Sequence, residues 1–125
     1  GSNIQEHAVL HVETGFPTII GKNVTVGHGA IINGATIGDS CIIGMNSTIV
    51  EGAVVGDDCI IGANAVVTGT MRVPPRSLVV GIPGRVVRSD DPTLHERAEH
   101  NAKAYHALRD EHLEGRYRRY NGSGL

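Results

Sequence analysis

Aliphatic residues recur at a fixed spacing of six through most of this 125-residue chain. Every step is six residues except the five from Ile32 to Ile37, and the positions are Ile20, Val26, Ile32, Ile37, Ile43, Ile49, Val55, Ile61, Val67, Val73 and Val79. A period of six fits neither the 3.6-residue turn of an α-helix nor the simple alternation of a strand. It predicts short strands separated by corners, with one aliphatic side chain of each unit pointing into the core.

Two further positions of the repeat indicate tight corners. The residue that stands four places after each of the first ten aliphatics is usually small or β-branched. These residues are Val24, Ala30, Thr36, Cys41, Ser47, Ala53, Cys59, Ala65, Met71 and Ser77. Glycine follows the aliphatic at positions 21, 27, 38, 44, 56 and 62, where we expect it to relax the backbone. Three units would close a triangular coil of about eighteen residues, and coils would stack about 4.8 Å apart. The predicted fold is an all-β solenoid, a parallel β-helix.

Composition agrees with such a core and excludes several classes of partner. Aromatic residues make up 3% of the chain and tryptophan is absent, so the interior must consist of aliphatic and small side chains. A net charge of −2 gives no electrostatic reason to expect nucleic acid or an anionic membrane as a partner. No apolar run approaches the roughly 18 residues of a membrane span, and no signal peptide opens the sequence. We therefore expect a cytoplasmic protein.

Two cysteines, Cys41 and Cys59, lie one coil apart at inward positions. That separation would suit a disulfide. A cytoplasmic origin instead favours two small thiols packed in the core.

The repeat ends near Pro74, Pro75 and Pro83, and a helix is predicted after it. Asp90 or Asp91 is the expected N-cap, with Pro92 in the first turn and Gly115 as the stop. One helix face carries Leu94, Ala98, Ala102, Tyr105, Leu108 and His112, and should dock on the solenoid or on a neighbouring subunit. The predicted organisation is a β-helix over 1–88, a C-terminal α-helix over 89–115 and a tail over 116–125. Its basic run, 116–120, is expected to be a solvated helix end rather than a phosphate site.

Three short motifs narrow the identification: Asn3-Ile4-Gln5-Glu6, Leu10-His11, and Gly27-His28-Gly29. Together with the six-residue units and Pro74-Pro75-Arg76-Ser77-Leu78, they resemble the γ-class carbonic anhydrases, which belong to the hexapeptide-repeat proteins. The resemblance implies a left-handed β-helix, a homotrimer, and further hexapeptide units before Asn3, without which the first coil would be uncovered. Hexapeptide units alone are shared with acyltransferases, so the first three motifs are the more specific ones.

The resemblance also implies a set of site residues. In that family three histidines hold zinc; His11 and His28 match two of them, and Asn33 stands at the third position. His11 and Asn33 each follow an inward aliphatic, so we expect them on the same face, one coil apart, with His28 on another face. The family unites the three positions by trimerisation, with His28 of one subunit meeting positions 11 and 33 of the next. Gln5 would hydrogen-bond the bound hydroxide, and Glu13 is a candidate proton shuttle.

Asn33 makes the metal site degenerate. Zinc in proteins is held by nitrogen, sulfur or carboxylate, and an amide oxygen is a weak neutral donor. We therefore expect weak or absent zinc, near-background carbon dioxide hydration, and a scaffold or assembly role. Two alternatives remain. One is an active zinc-dependent carbonate dehydratase in which water or His7 replaces the missing ligand. The other is a hexapeptide-repeat acyltransferase, against which the short excursion over 12–18 argues.

Overall fold

The computed structural model describes residues 1–117. The described chain forms short strands followed by a long helix, α1 (Thr93–Leu113). The strands are β1 (Asn3–Ile4), β2 (Val9–His11), β3 (Ile19–Ile20), β4 (Thr25–Val26), β5 (Ile31–Asn33), β6 (Thr36–Ile37), β7 (Ile42–Ile43), β8 (Thr48–Ile49), β9 (Val54–Val55), β10 (Ile60–Ile61), β11 (Val66–Val67), β12 (Arg72–Val73), β13 (Leu78–Val80) and β14 (Arg85–Arg88). From position 118 onward the predicted tail and its basic run lie outside the described residues.

Every third strand pairs in parallel, which creates three faces. Face A contains β1, β4, β7, β10 and β13; face B contains β2, β5, β8 and β11; face C contains β3, β6, β9 and β12. At the far end β14 adds to face A in antiparallel fashion. This confirms the predicted fold class, a left-handed parallel β-helix of about 4 turns with a C-terminal helix.

The repeated aliphatics form the core. Ten of the eleven are at most 3% exposed; Ile20, in the first coil, is half-buried. The bend residues are buried beside them except Met71, which is partly buried. One position is corrected, because Ala35 rather than Thr36 occupies the bend before Ile37. The shortened step removes one residue from that corner, so the bend residue lies two positions before the next aliphatic throughout. Thr36 instead begins β6.

The backbone angles at the corners show that the glycines do not have the role predicted for them. A left-handed φ falls on the residue just before the bend residue: Asn23, Gly29, Gly34, Ser40, Asn46, Gly52, Asp58, Asn64 and Arg76. The glycines after the aliphatics have a different function, because they lie against the backbone of the next coil. A Cβ on Gly44 would stand 2.5 Å from the carbonyl oxygen of Ile61, and one on Gly38 would stand 2.8 Å from the Asp57 nitrogen. These glycines allow the coils to approach, and backbone relaxation does not explain them.

The two cysteines are free and fully buried in the core. The Cys41 thiol donates to the carbonyl oxygen of Gly56 at 3.2 Å, and the Cys59 thiol donates to that of Pro74 at 3.1 Å. Each thiol therefore satisfies a carbonyl of the corner packed beside it, in addition to filling volume.

Helix α1 lies along face A and runs from the last coils back toward the first. The helix begins at Thr93, and Pro92 rather than the predicted Asp90 or Asp91 is the N-cap residue. The Asp91 carboxylate still accepts the Thr93 N–H at 3.0 Å, next to the helix start. Leu94, Ala98 and Ala102 are buried. The second half of the predicted apolar face is not buried, because Leu108 is 40% exposed and His112 is exposed. Within residues 1–117, no helix combines the length and the apolar character that crossing a membrane requires.

An ion pair anchors the first half of α1 to a corner of the solenoid. Nδ1 of His95 lies 2.6 Å from Oδ1 of Asp58, and Nε2 of His95 lies 3.8 Å from Glu99. The hydrogen bond to Asp58, and then its charge, raise the pKa of His95 above its ordinary value of 6.5. The protonated imidazole is thus favoured in the folded state.

The anchor is expected to weaken as the pH rises. A raised folded pKa gives stabilisation that is complete below about 6.5, the unfolded value, and that is lost as the pH passes the folded pKa. An NMR titration of the His95 ring protons should give a pKa above that of an unfolded histidine. In Asp58→Asn, which suits the left-handed φ of that corner, the pKa should return to about 6.5. An unchanged pKa in this variant would contradict the assignment of the anchor.

Candidate metal site

His11 and Asn33 lie side by side on face B. They are Cα partners in the parallel pairing of β2 with β5, so the fold brings together two of the three positions that the resemblance implies. Nδ1 of His11 lies 3.0 Å from Oδ1 of Asn33. Both side chains point outward, because the residues before them, Leu10 and Ile32, occupy the inward positions.

Carboxylates flank this pair on both sides. Oε1 of Glu13 lies 3.3 Å from Nδ1 of His11, and the Asn33 amide donates to Oε2 of Glu51 at 3.3 Å. Nδ1 of His11 therefore faces two acceptors, which places its proton on Nδ1 in the neutral ring and leaves the Nε2 lone pair free. Glu13 thus contacts His11 directly, whatever its part in proton transfer.

The excursion over 12–18 holds His11 in place. Glu13 and Phe16 form an isolated antiparallel bridge, which folds the segment back on itself. The Thr18 hydroxyl donates to the His11 carbonyl oxygen and accepts the Gly34 N–H at 2.9 Å. Gly34 has a φ of +59°, and a Cβ there would meet the Phe16 backbone oxygen at 2.9 Å. A side chain at position 34 would therefore push the excursion away from the His11–Asn33 pair.

His28 lies apart from this pair, in the turn between β4 on face A and β5 on face B. Its Nδ1 is 2.9 Å from Oε2 of Glu6, and both side chains are more than half exposed. The carboxylate again places the proton on Nδ1 and leaves Nε2 directed elsewhere, as in metal sites where a carboxylate orients a ligating histidine. Within residues 1–117, no three His, Cys, Asp or Glu side chains of one chain come together in a way that could hold a metal ion.

Gln5 belongs to a hydrogen-bond chain on face A. Its amide donates to Oδ1 of Asn3 at 3.2 Å, and the Asn3 amide donates to the Thr25 hydroxyl at 3.0 Å. Asn101 of α1 donates to the same hydroxyl at 2.8 Å. Thr25 is 3% exposed and so links the helix to Gln5 through a buried contact. With its NH₂ group engaged, Gln5 presents its carbonyl oxygen as the free group.

The structure thus divides the predicted site residues into two groups. His11, Glu13 and Asn33 lie together at face B, while Gln5 and His28 lie at face A and its adjoining corner. Sequence reasoning missed the partners Glu6, Glu51 and Thr25. The spacing between coils could have indicated these partners. Asn3 and Thr25 are 22 residues apart, as are His11 and Asn33, and Asn33 and Glu51 are 18 apart.

The residues present do not fit the three-histidine zinc site that the resemblance implies. The two matched ligand positions on face B offer one imidazole and one amide, and the amide oxygen lies 3.0 Å from Nδ1 of that imidazole. Three imidazoles, or imidazoles with a carboxylate, are the usual protein ligands of a catalytic zinc. The three matched positions therefore supply at most two imidazoles, even if His28 of another subunit were added.

Known proteins that are similar to this chain support the fold and indicate the family to which it belongs. The model of the bacterial transferase hexapeptide (six repeats) matches residues 17–49 and 34–69. A probable carbonic anhydrase of Methanocaldococcus jannaschii is 61% identical over 87 residues, which cover 70% of this chain and 55% of that protein. The carnitine operon protein CaiE of Escherichia coli O157:H7 is 41% identical over 109 residues, or 86% of this chain and 55% of that protein. The chain spans about half the length of these curated relatives.

Two solved structures share the architecture. A putative acetyltransferase of Bacillus cereus superposes with a TM-score of 0.79 at 33% identity, over 83% of this chain and 60% of that one. A hexapeptide transferase family protein from Anaplasma phagocytophilum gives the same TM-score, 0.79, at 30% identity, over 86% of this chain and 63% of that one. The repeat, the three motifs and the 61% identity to a probable carbonic anhydrase lead to one assignment. The chain belongs to the γ-carbonic-anhydrase-like hexapeptide-repeat family.

Proposed function

We propose that this chain is a trimeric γ-carbonic-anhydrase-like protein whose zinc site is degenerate and which serves as a scaffold or assembly component. The observation that carries the proposal is the pairing of His11 with Asn33 in register on face B. Where a second imidazole would complete the donor pair, the chain offers an amide whose nitrogen donates to Glu51 and whose oxygen lies against His11. Little or no hydration of carbon dioxide follows, since the ion and its bound water depend on that donor.

The trimeric part of the proposal rests on the position of His28. His28 lies in the turn between faces A and B, where Glu6 orients it, and His11 lies on face B. Because no three metal-binding side chains of residues 1–117 come together within one chain, a shared site requires a second subunit. In the proposed trimer His28 of one subunit would meet His11 and Asn33 of the next. We place the protein in the cytoplasm, with carbon dioxide or bicarbonate as the only small molecule that the resemblance suggests.

Metal analysis of the purified trimer tests the proposal. We expect sedimentation to show a trimer, and elemental analysis to show much less than one zinc per subunit after dialysis against zinc and removal of free metal. Stopped-flow hydration of carbon dioxide should stay near the uncatalysed rate. The variant His11→Ala provides the control, because a residual site that uses His11 should lose its remaining zinc in this variant. One zinc per subunit in the unmodified trimer, with hydration well above background, would instead establish the active carbonate dehydratase.

An acyltransferase is the second candidate, and the fold shared with the putative acetyltransferase of Bacillus cereus favours it. The excursion over 12–18 weighs against it, because the Glu13–Phe16 bridge folds that segment back toward Gly34. It forms no long protruding loop beside a cleft of the kind those enzymes use. Release of free thiol from acetyl coenzyme A in the presence of amine or hydroxyl acceptors would identify this activity.

A further inference from the structure

A groove runs between α1 and the outer surface of face A. Its floor is a row of outward side chains in register on consecutive strands, Thr25, Ile42, Ile60 and Leu78. Four strands span about 14 Å at the usual strand spacing. The groove has a volume of about 440 Å³, within the range of small-molecule sites.

The helix supplies the polar wall of this groove. Arg97, Asn101 and Tyr105 line it at a spacing of four residues, so they form one stripe along the helix. The amide of Asn101 is engaged by the Thr25 hydroxyl, which holds the helix against the floor. The opposite rim is formed by the corner that contains Gly27 and His28, and Gln5 lies at the end of the groove next to the first coil.

The charges around the groove favour an anion. Its lining contains the cation Arg97 and no aspartate or glutamate, and His28 on the opposite rim lies 2.9 Å from the Glu6 carboxylate. Among the described residues, no carboxylate lies within ion-pairing distance of the Arg97 guanidinium, whereas Lys103 on the same helix pairs with Glu99 at 3.4 Å. Glu96 lines a neighbouring depression, which shares Ile42, Arg97 and Asn101 with the groove. An unpaired guanidinium beside an aliphatic floor offers a carboxylate two parallel hydrogen bonds.

We propose that the groove between α1 and face A binds a linear aliphatic carboxylate, with the carboxylate on Arg97 and the hydrocarbon chain along Ile42, Ile60 and Leu78. The row of isoleucine and leucine gives an alkyl chain an apolar surface, and the guanidinium fixes the direction in which it lies. Such a ligand is larger than carbon dioxide, so the inference goes beyond the proposed function and does not depend on the ligand at position 33.

Methyl NMR with octanoate tests the inference on metal-free protein in its native oligomeric state, established by sedimentation. Octanoate should shift the methyl resonances of Ile42, Ile60 and Leu78 saturably and leave those of Ile19, exposed on face C, in place. Each methylene removed from the probe should weaken binding about fourfold. Arg97→Gln should weaken it about tenfold. Lys103→Gln removes the same charge from the other side of the helix and should have no effect.

Several results would overturn the inference. These are the absence of saturable shifts at the groove methyls, equal weakening by Arg97→Gln and Lys103→Gln, or octanol that binds as tightly as octanoate. Circular dichroism of both variants would show that α1 remains folded. Because the test reads ligand binding and not zinc or hydration, its failure would leave the proposed function untouched, and full zinc occupancy would leave the groove proposal untouched.

Discussion

Asn33→His is expected to raise zinc occupancy toward one ion per subunit interface and to increase carbon dioxide hydration together with it. The substitution places a second imidazole beside His11 in the register that β2 and β5 already provide. With His28 of a neighbouring subunit, the donor set then becomes three imidazoles, which leave one position open for water. Even groups that only support zinc ligands change metal affinity by 10–100-fold. A missing ligand should therefore change it by at least about 100-fold, which a competition assay with a chromogenic chelator would measure.

The matched control keeps the amide. Asn33→Gln changes the length of the side chain without adding a strong donor, so its zinc occupancy should equal that of the unmodified protein. Occupancy and hydration must be compared on fractions shown to be trimeric, because the site needs two subunits. If trimeric Asn33→His gained no zinc over Asn33→Gln, the missing imidazole would not be the limiting feature of the site.

Gly44→Ala should destabilise the solenoid by about 3 kcal/mol or more. An added Cβ would lie 2.5 Å from the Ile61 carbonyl oxygen and 2.7 Å from the Ala63 nitrogen. Both are backbone atoms of the next coil, and that coil is held by its own ladder, so the clash must separate the coils rather than rotate a side chain. Overpacking of a core typically costs about 1–3 kcal/mol, and a rigid neighbour places this site at the upper end or beyond. Denaturant unfolding measures the loss.

The next coil contains the matched control for this substitution. Gly62 occupies the same position, but a Cβ there would first meet a Val80 methyl group at 3.1 Å and the Val79 oxygen at 3.2 Å. Gly62→Ala should thus cost about 1 kcal/mol, since a side-chain methyl group can shift. Equal losses in the two variants would mean that the distance to the next coil does not set the cost.

The ladder of inward aliphatics was predictable because each unit repeats one local conformation. The six-residue step alone places Ile43, Ile61 and Val79 above one another, and the structure buries all three completely. The bend before Ile37 was not predictable by counting forward from Ile32, because the shortened corner moves the bend from Thr36 to Ala35. The role of Gly44 was also hidden, since a glycine required by a neighbouring coil and one required by its own φ have the same sequence pattern.

The site could be predicted only in part, for a similar reason. The pairing of His11 with Asn33 follows from their positions after Leu10 and Ile32. Their carboxylate partners depend on how far the side chains reach between coils, which periodicity does not describe. Glu51 contacts Asn33 from one coil away, and Glu6 contacts His28 across the same spacing that separates Asn3 from Thr25. The metal roles of His11 and His28 stay predictions.

A stack in which each coil touches only its neighbours resembles a repeat protein, whose folding can begin in any unit and spread from it. Such a chain can unravel from one end while the rest persists. Helix α1 changes this, because it crosses the coils: His95 meets Asp58, Asn101 meets Thr25, and His106 donates to the Gly1 carbonyl oxygen at 2.7 Å. These contacts join residues 37, 76 and 105 positions apart. Because the helix contacts both ends of the solenoid, unfolding of one end also removes contacts at the other. A solenoid that would otherwise unfold in steps is therefore expected to unfold cooperatively.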